Sequence, residues 1–231
     1  MKQTKQARFR ELLAQPGAIA AVGVYDALTA RIAQKVGFEV LHITGNGSVG
    51  SLIGKPDIGL ATMTEMVGRA KQIAASVDVP CIADCDAGYG DLQNVKRAVE
   101  EYEASGVAAI HLEDQTTPKK CGAMAGITIV SPEEMVDRIK TARLARQNPD
   151  FTLIARSDAK KIEGLGPMIK RCQRYAEAGA DVLMPECLYT EEEIKTAVKE
   201  LEGHPVLVDI CELNRECMFS VWQLEDWGVK I

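Results

Sequence analysis

The feature that most limits the fold of this chain is its order: short apolar runs alternate with amphipathic helical patterns seven times. "AIAAVGVYD" leads to "ALTARIAQKVG", "VLHITG" to "TMTEMVGRAKQIAASV", and "PCIADCDAG" to "NVKRAVEEYEASG". "VAAIHLED" then precedes "SPEEMVDRIKTARLARQ", and "FTLIARSDA" precedes "GPMIKRCQRYAEAG". "DVLMPE" comes before "TEEEIKTAVKELEG", and "PVLVDICE" before "CMFSVWQLEDWG". The apolar runs favour Val, Ile, Leu and Ala without strict alternation, which suits parallel strands covered on both faces. Ser131-Pro132 and Thr190 open helices, while Gly106, Gly179 and Gly203 close them. A final "GVKI" reads as the start of an eighth strand. The expected fold is α/β: a (β/α)8 TIM barrel lacking most of its eighth unit, with residues 1–231 as one domain. A doubly wound open sheet is the competing architecture. Polar residues stand at the C-terminal ends of nearly all the strands, and this favours the barrel, where those ends meet at one mouth.

Composition narrows the function classes. With 231 residues, 46% of them hydrophobic, the chain can bury a large core. No apolar run approaches the roughly 18 residues that span a bilayer, and the N-terminus lacks the apolar region of a secretion signal. Seven cysteines form no CxxC pair, so reduced thiols in the cytoplasm are expected. A net charge of −6 argues against nucleic acid and anionic membranes as partners.

The strand ends hold the chemistry. Asp84 and Asp86 are two apart, so an extended strand points both to one side. Adjacent carboxylates repel unless a proton or cation lies between them, and Mg²⁺, with Mn²⁺ as a substitute, suits few carboxylates plus water. Glu113 ends the next strand and can join directly or through water. Alternatively, Asp84 and Asp86 cap the turn into the following helix. Arg156 ends "FTLIAR", where its guanidinium suits an anion or forms an ion pair with Glu186 or Glu113. "TGNGSVG" reads as a glycine-rich loop that offers N–H groups to an anion. His42 and His111 lie inside strands, as core histidines with satisfied hydrogen bonds. Cys121, in "EDQTTPKKCGAMAG", is either an incidental loop thiol or a reactive one. Lys119 and Lys120 would favour its thiolate, and the nearby glycines would let the loop close over a ligand.

Five segments in order, "GVYDALTARIA", "KPDIGLATMTEM", "DCDAGYG", "HLEDQTTPKKCG" and "ARSDA", carry a resemblance. From about "GVYDALTA" to "GVKI", the chain resembles the isocitrate lyase and phosphoenolpyruvate mutase superfamily. Within it, the nearest resemblance is to the methylisocitrate lyase and 2,3-dimethylmalate lyase group. The resemblance implies a TIM barrel, Mg²⁺ and a homotetramer of helix-swapped dimers. It also implies retro-aldol cleavage of a branched 2-hydroxy di- or tricarboxylate to a 2-oxo acid. Asp84, Asp86 and Glu113 fall on the metal site. Thr44, Gly45 and Asn46 fall on the substrate-carboxylate segment, and Lys120, Gly122, Arg156, Glu186 and Asp209 on other substrate positions. Cys121 falls on the acid/base of a gating loop, with Arg156 also catalytic and Tyr25 and Asp57 as candidate bases. Three departures stand out: Ala123 where relatives have His, Asp209 and Cys211 where they have Asn and Thr, and the short eighth unit. An oxaloacetate decarboxylase or hydrolase, a phosphonate C–P enzyme, and a non-catalytic carboxylate-binding member are the alternatives.

Overall fold

The computed structural model describes residues 3–211 and 218–231. Glu212, at the expected end of strand seven, lies outside the described residues. Six parallel strands stand side by side in chain order: β1 (Ala21–Val24), β2 (Val40–Ile43), β3 (Cys81–Asp84), β4 (Ala109–Glu113), β5 (Thr152–Ser157) and β6 (Val182–Pro185). A doubly wound sheet reverses its strand order partway; these six strands do not.

Past β6, the expected seventh strand is reduced to one parallel bridge, Leu183 to Val206. Pro205 lacks the N–H that a longer ladder would use there. The hydrogen bonding nevertheless continues. Leu207 N–H donates to Leu183 O (2.8 Å), Val208 N–H to Ile231 O (2.9 Å), and Ile19 N–H to Lys230 O (2.9 Å). The closing "VKI" therefore lies between residues 206–208 and the approach to β1.

Helices fill the connections: α2 (Ala27–Val36), α3 (Gly45–Ile53), α4 (Met63–Ser76), α5 (Leu92–Ala104) and α6 (Pro132–Ala145), after an N-terminal α1 (Lys5–Ala14). α7 (Lys160–Glu163), α8 (Leu165–Ala178), α9 (Glu191–Glu200) and α10 (Val221–Asp226) follow. Local chemistry sets their ends. Thr62 with Glu65, Asp91 with Asn94, and Thr190 with Glu193 form reciprocal capping boxes. Gly37 and Gly179 end α2 and α8 at φ of 113° and 107°, a conformation that costs glycine little. α5 buries Val95, Ala98, Val99 and Tyr102, the spacing of one helical face.

Side-chain alternation along each strand divides the interior into two cores. Outward positions such as Leu41, Ala83, Ile110 and Leu153 pack under the helices. Inward positions Val40, Ile82, Ala109, Ile154 and Val182 form a second core, closed from below by Phe9 and Leu12 of α1. Each inward row then climbs in steps of two residues, from this apolar floor to His42, Asp84, His111 and Arg156, and ends in Glu113 and Glu186. The floor excludes water beneath the charged layer. Among the described residues, no helix is long and apolar enough to cross a membrane.

Candidate active site

A cavity of about 720 Å³ opens above this floor, and Asp57, Asp84, Glu113, Arg156 and Glu186 line it. The strand register brings them together: Asp84 pairs with His111, and Glu113 with Arg156. Asp91, rather than Asp84 or Asp86, caps the following helix, so both acids are free for the site. Asp84 Oδ1 accepts the N–H of Asp86 at 2.9 Å, and Asp86 adopts φ of 49°, a region that Asp tolerates better than most residues. Arg156 is clamped by Asp158 through Nε (3.1 Å) and Nη2 (2.9 Å). It also lies 3.5 Å from Glu113 and 3.8 Å from Glu186. Behind it, buried Asp114 holds Asp158 N–H (2.9 Å), Ser157 Oγ (2.7 Å) and the Tyr175 hydroxyl (2.8 Å).

"TGNGSVG" is not a loop. Thr44 caps α3, and Gly45 and Asn46 form its first turn, where N–H groups have no acceptor within the helix. Both line the cavity. A Cβ at Gly45 would stand 2.1 Å from Asp84 Oδ2, so only glycine lets α3 start this close to the acids.

The segment after β4 folds over the cavity. Cys121 N–H donates to Asp57 O (2.8 Å), and Lys161 Nζ donates to Gly122 O (2.6 Å). The Gln115 side chain grips both the N–H and the carbonyl of Lys120 (3.0 and 2.9 Å). Two expectations need correction here. The Lys120 ammonium turns away to Gly126 O (3.0 Å), because its backbone is the part held inward. Lys119 enters instead, buried, with Nζ 2.5 Å from Asp86 and 2.7 Å from Asp57. Tyr25 is absent from the cavity lining and 40% exposed; its Cβ packs beside Gly47. Asp57 lines the cavity, with one carboxylate oxygen committed to Lys119.

The sequence profile of the phosphoenolpyruvate phosphomutase family matches residues 9–231. The chain belongs to that family. A 2,3-dimethylmalate lyase from Eubacterium barkeri is 45% identical over 97% of this chain and 78% of the relative. A 2-methylisocitrate lyase from Aeropyrum pernix is 40% identical over 96% and 71%. Oxaloacetate acetylhydrolase in complex with 3,3-difluorooxalacetate superposes with a TM-score of 0.94 at 37% identity, covering 98% of this chain and 78% of that one. Phosphonopyruvate hydrolase in complex with oxalate and Mg²⁺ superposes at 0.81 with 30% identity, covering 93% and 77%. The phosphoenolpyruvate mutase and isocitrate lyase superfamily inferred from the motifs is thereby established.

In this family member the site is dominated by negative charge. Burial and the Asp84 charge push Asp86 up to about 7, against the pull of Lys119. Burial likewise raises Glu186 to about 8 and Glu113 well above its usual range. Asp84 is the exception. Burial opposes its charge, but His111, Lys119 and Arg156 together hold it below the ordinary carboxylate range. One ammonium is shared among Asp84, Asp86, Glu113 and Asp57, which keeps Lys119 charged despite its burial. The Cys121 thiol is shifted the opposite way from the thiolate expected of its lysines. Burial raises it, with Asp57 adding to the rise, and outweighs the backbone at Ala123, Arg156 and Lys119, which pull it down.

A divalent cation fits this donor set. Glu113 Oε1 and Asp57 Oδ1 are buried without a hydrogen-bond partner, and Asp86 Oδ1 has only the ammonium contact. Among the described residues no three acidic, His or Cys side chains converge as a ready-made cage. A Mg²⁺ ion that keeps several waters does not require one. Sequence reasoning missed Lys119, the Asp158 clamp and the contact between His42 and His111. Period-two spacing does put Asp158 on the Arg156 face; no local signal reports the other two.

Proposed function

We propose that this chain is a Mg²⁺-dependent carbon–carbon lyase. Its substrate is a branched 2-hydroxy di- or tricarboxylate such as 2,3-dimethylmalate or 2-methylisocitrate, and it releases a 2-oxo acid. The observation that carries the reading is a thiol, Cys121, held at a cavity of buried carboxylates by a loop whose Cys121 N–H donates to Asp57 O; burial shifts that thiol upward, towards its protonated form. Retro-aldol cleavage needs a proton for the carbanion fragment, and a neutral thiol donates one. The (β/α)8 barrel belongs to the same reading, supported by the return of hydrogen bonds from residues 206–208 through Lys230 to Ile19.

Arg156, oriented by Asp158, and the first-turn N–H groups of α3 bind the substrate carboxylates. Gly122 lets the loop close, since a Cβ there would lie 2.4 Å from Arg156 Nη2. Closure removes water, which strengthens each of these interactions. Asp84, Asp86 and Glu113 would hold the cation, which supplies positive charge where the hydroxyl oxygen becomes anionic. When the bond between C2 and C3 breaks, its electron pair passes to C3 as an enolate, and Cys121 protonates that carbon.

Oxaloacetate hydrolysis is the second reading, favoured by the 37% identity to the acetylhydrolase. One experiment separates the two, together with a phosphonate activity and a non-catalytic binding role. The protein is incubated with Mg²⁺ and each of 2,3-dimethylmalate, 2-methylisocitrate, oxaloacetate and phosphonopyruvate, and the products are followed by NMR. A 2-oxo acid from the first pair supports the lyase, and oxalate from oxaloacetate the hydrolase. Phosphate from phosphonopyruvate marks C–P cleavage, and no product from any of them leaves binding alone. A reducing cytoplasm accords with the unpaired described cysteines. A homotetramer accords with the exposed stripe Leu28, Ile32 and Val36 on α2, and sedimentation tests it.

A further inference from the structure

We propose that Lys161 is the latch of the Cys121 loop: its ammonium, donating to Gly122 O, holds the thiol at the cavity. Lys161 lies outside the cavity lining, so it is a positioning residue that acts through the loop. The consequence for turnover rests on the lyase reading; the latch itself does not.

The backbone around Cys121 is fixed at two points. On one side the Cys121 N–H donates to Asp57 O at 2.8 Å, and on the other Gly122 O accepts from Lys161 Nζ at 2.6 Å. Peptide groups are planar, so only the torsions of Cys121 and Gly122 lie between the two anchored planes. Gly122 has little room to shift, because even a Cβ there would stand 2.4 Å from Arg156 Nη2. Besides Lys161, the Cys187 thiol approaches Gly122 O, at 3.7 Å. A thiol is a weak donor, whereas an ammonium makes a charge-assisted hydrogen bond. Gly122 is buried, and a buried carbonyl needs a good donor. Without Lys161 the seated loop would leave that carbonyl poorly satisfied, while an open loop would give it water. The balance then moves towards opening.

The latch is mounted on a fixed support. Helix α7 has four residues, too few to hold itself, and its neighbours secure both ends. Lys160 Nζ donates to Cys187 O (2.6 Å) and pairs with Glu193 of α9 (2.6 Å). Glu163 accepts two hydrogen bonds from Arg171 of α8 (2.8 and 2.7 Å), which also donates to Val130 O (2.9 Å). Successive helical positions diverge by roughly 100°. Lys160 can therefore turn to the β6 side while Lys161, an exposed residue, reaches across to the segment after β4. The contact ties the connection after β5 to the one that carries the thiol.

The test compares the parent with Lys161→Met, which keeps the length and loses the donor, and Lys161→Arg, which keeps a cationic donor. Each protein, with Mg²⁺ present, is treated with iodoacetamide, and peptide mass spectrometry follows Cys121. The expected result is alkylation of Cys121 about ten-fold faster in Lys161→Met, the weight of one charge-assisted hydrogen bond. Lys161→Arg should stay within about three-fold of the parent. Removing a nearby cation disfavours a thiolate, so a faster reaction reports exposure of the thiol. Buried Cys81 and Cys172 should remain unmodified in all three proteins. On 2,3-dimethylmalate or 2-methylisocitrate, kcat should fall about ten-fold in Lys161→Met and recover in Lys161→Arg. Cys121 alkylated no faster in Lys161→Met than in the parent, or equally fast in both variants, would overturn the latch. So would a rise shared by Cys81 and Cys172, which marks general loosening, or an unchanged kcat in an active enzyme. A parent silent on both substrates would overturn the lyase reading, and the alkylation rates would still decide the latch.

Discussion

At the scale of single residues, the same side-chain type takes different roles according to its surroundings. Cys81, Cys85 and Cys172 are buried thiols raised well out of reach of neutral pH, and they serve packing. Cys121 is only partly buried and stands at the cavity. Cys121→Ser should lower turnover by roughly 10²–10⁴-fold, because serine is a far poorer proton donor. Substrate-analogue binding, measured by calorimetry, should change little, and a drop of only a few-fold would return Cys121 to an incidental loop thiol. Asp209 is the residue that fits the family least. It lies on the open side of the cavity and exerts its charge on His42 and Glu186. A carboxylate here repels a charged distal group, so Asp209→Asn should raise kcat/KM for ordinary dicarboxylates over branched or hydroxylated ones. Identical preferences in parent and variant would mean that Asp209 takes no part in substrate choice.

At the scale of elements, much was legible because strands and helices announce themselves locally. The runs that became β1 to β6 have the Val, Ile and Ala content of buried parallel strands, and capping boxes mark α4, α5 and α9. Period-two spacing accounts for Asp84, Glu113 and Arg156, but Asp86 lies past the end of β3 at φ of 49° and reaches the site through a turn instead of an extended strand. Two elements were misread. Glycines made "TGNGSVG" look like a loop, although Thr44 as N-cap and close contact with Asp84 explain their use in α3. Strand seven is reduced to a bridge with β6 where Pro205 has no N–H to give the ladder. The inward path of Lys119 was invisible, since adjacent lysines look alike until Gln115 fixes the backbone of Lys120. Loop closure depends on Gly122, where a Cβ would meet Arg156 Nη2 at 2.4 Å and Asp158 Oδ1 at 2.7 Å. Gly122→Ala should therefore cost on the order of 10²-fold in kcat/KM, the size of a misplacement near 1 Å. Gly166→Ala, whose added Cβ meets nothing within 4 Å, is the control. Equal rates for the two variants would show that the loop need not seat.

At the scale of the whole molecule, the chain concentrates acid in one cavity and counters it with Lys119 and Arg156. That imbalance makes folding stability depend on pH. Asp86, raised to about 7, and Glu186, raised to about 8, keep their protons in the folded chain at pH values where the unfolded chain has lost them. Their contribution is complete below about pH 4 and is lost as pH rises through the raised values. Metal-stripped protein should thus melt at least about 5 °C lower at pH 8.5 than at pH 6, and added Mg²⁺ should shrink the gap by binding the folded state. A melting temperature that rises with pH in the stripped protein would contradict the charge balance described here. The most direct test of the central claim is the initial rate of 2-oxo acid release from 2,3-dimethylmalate and from 2-methylisocitrate, with Mg²⁺, with excess chelator, and after Mg²⁺ is restored. The account predicts release from at least one of the two substrates, abolished by the chelator and recovered on restoration; an undiminished rate in the chelator, or no 2-oxo acid from either substrate, would contradict it.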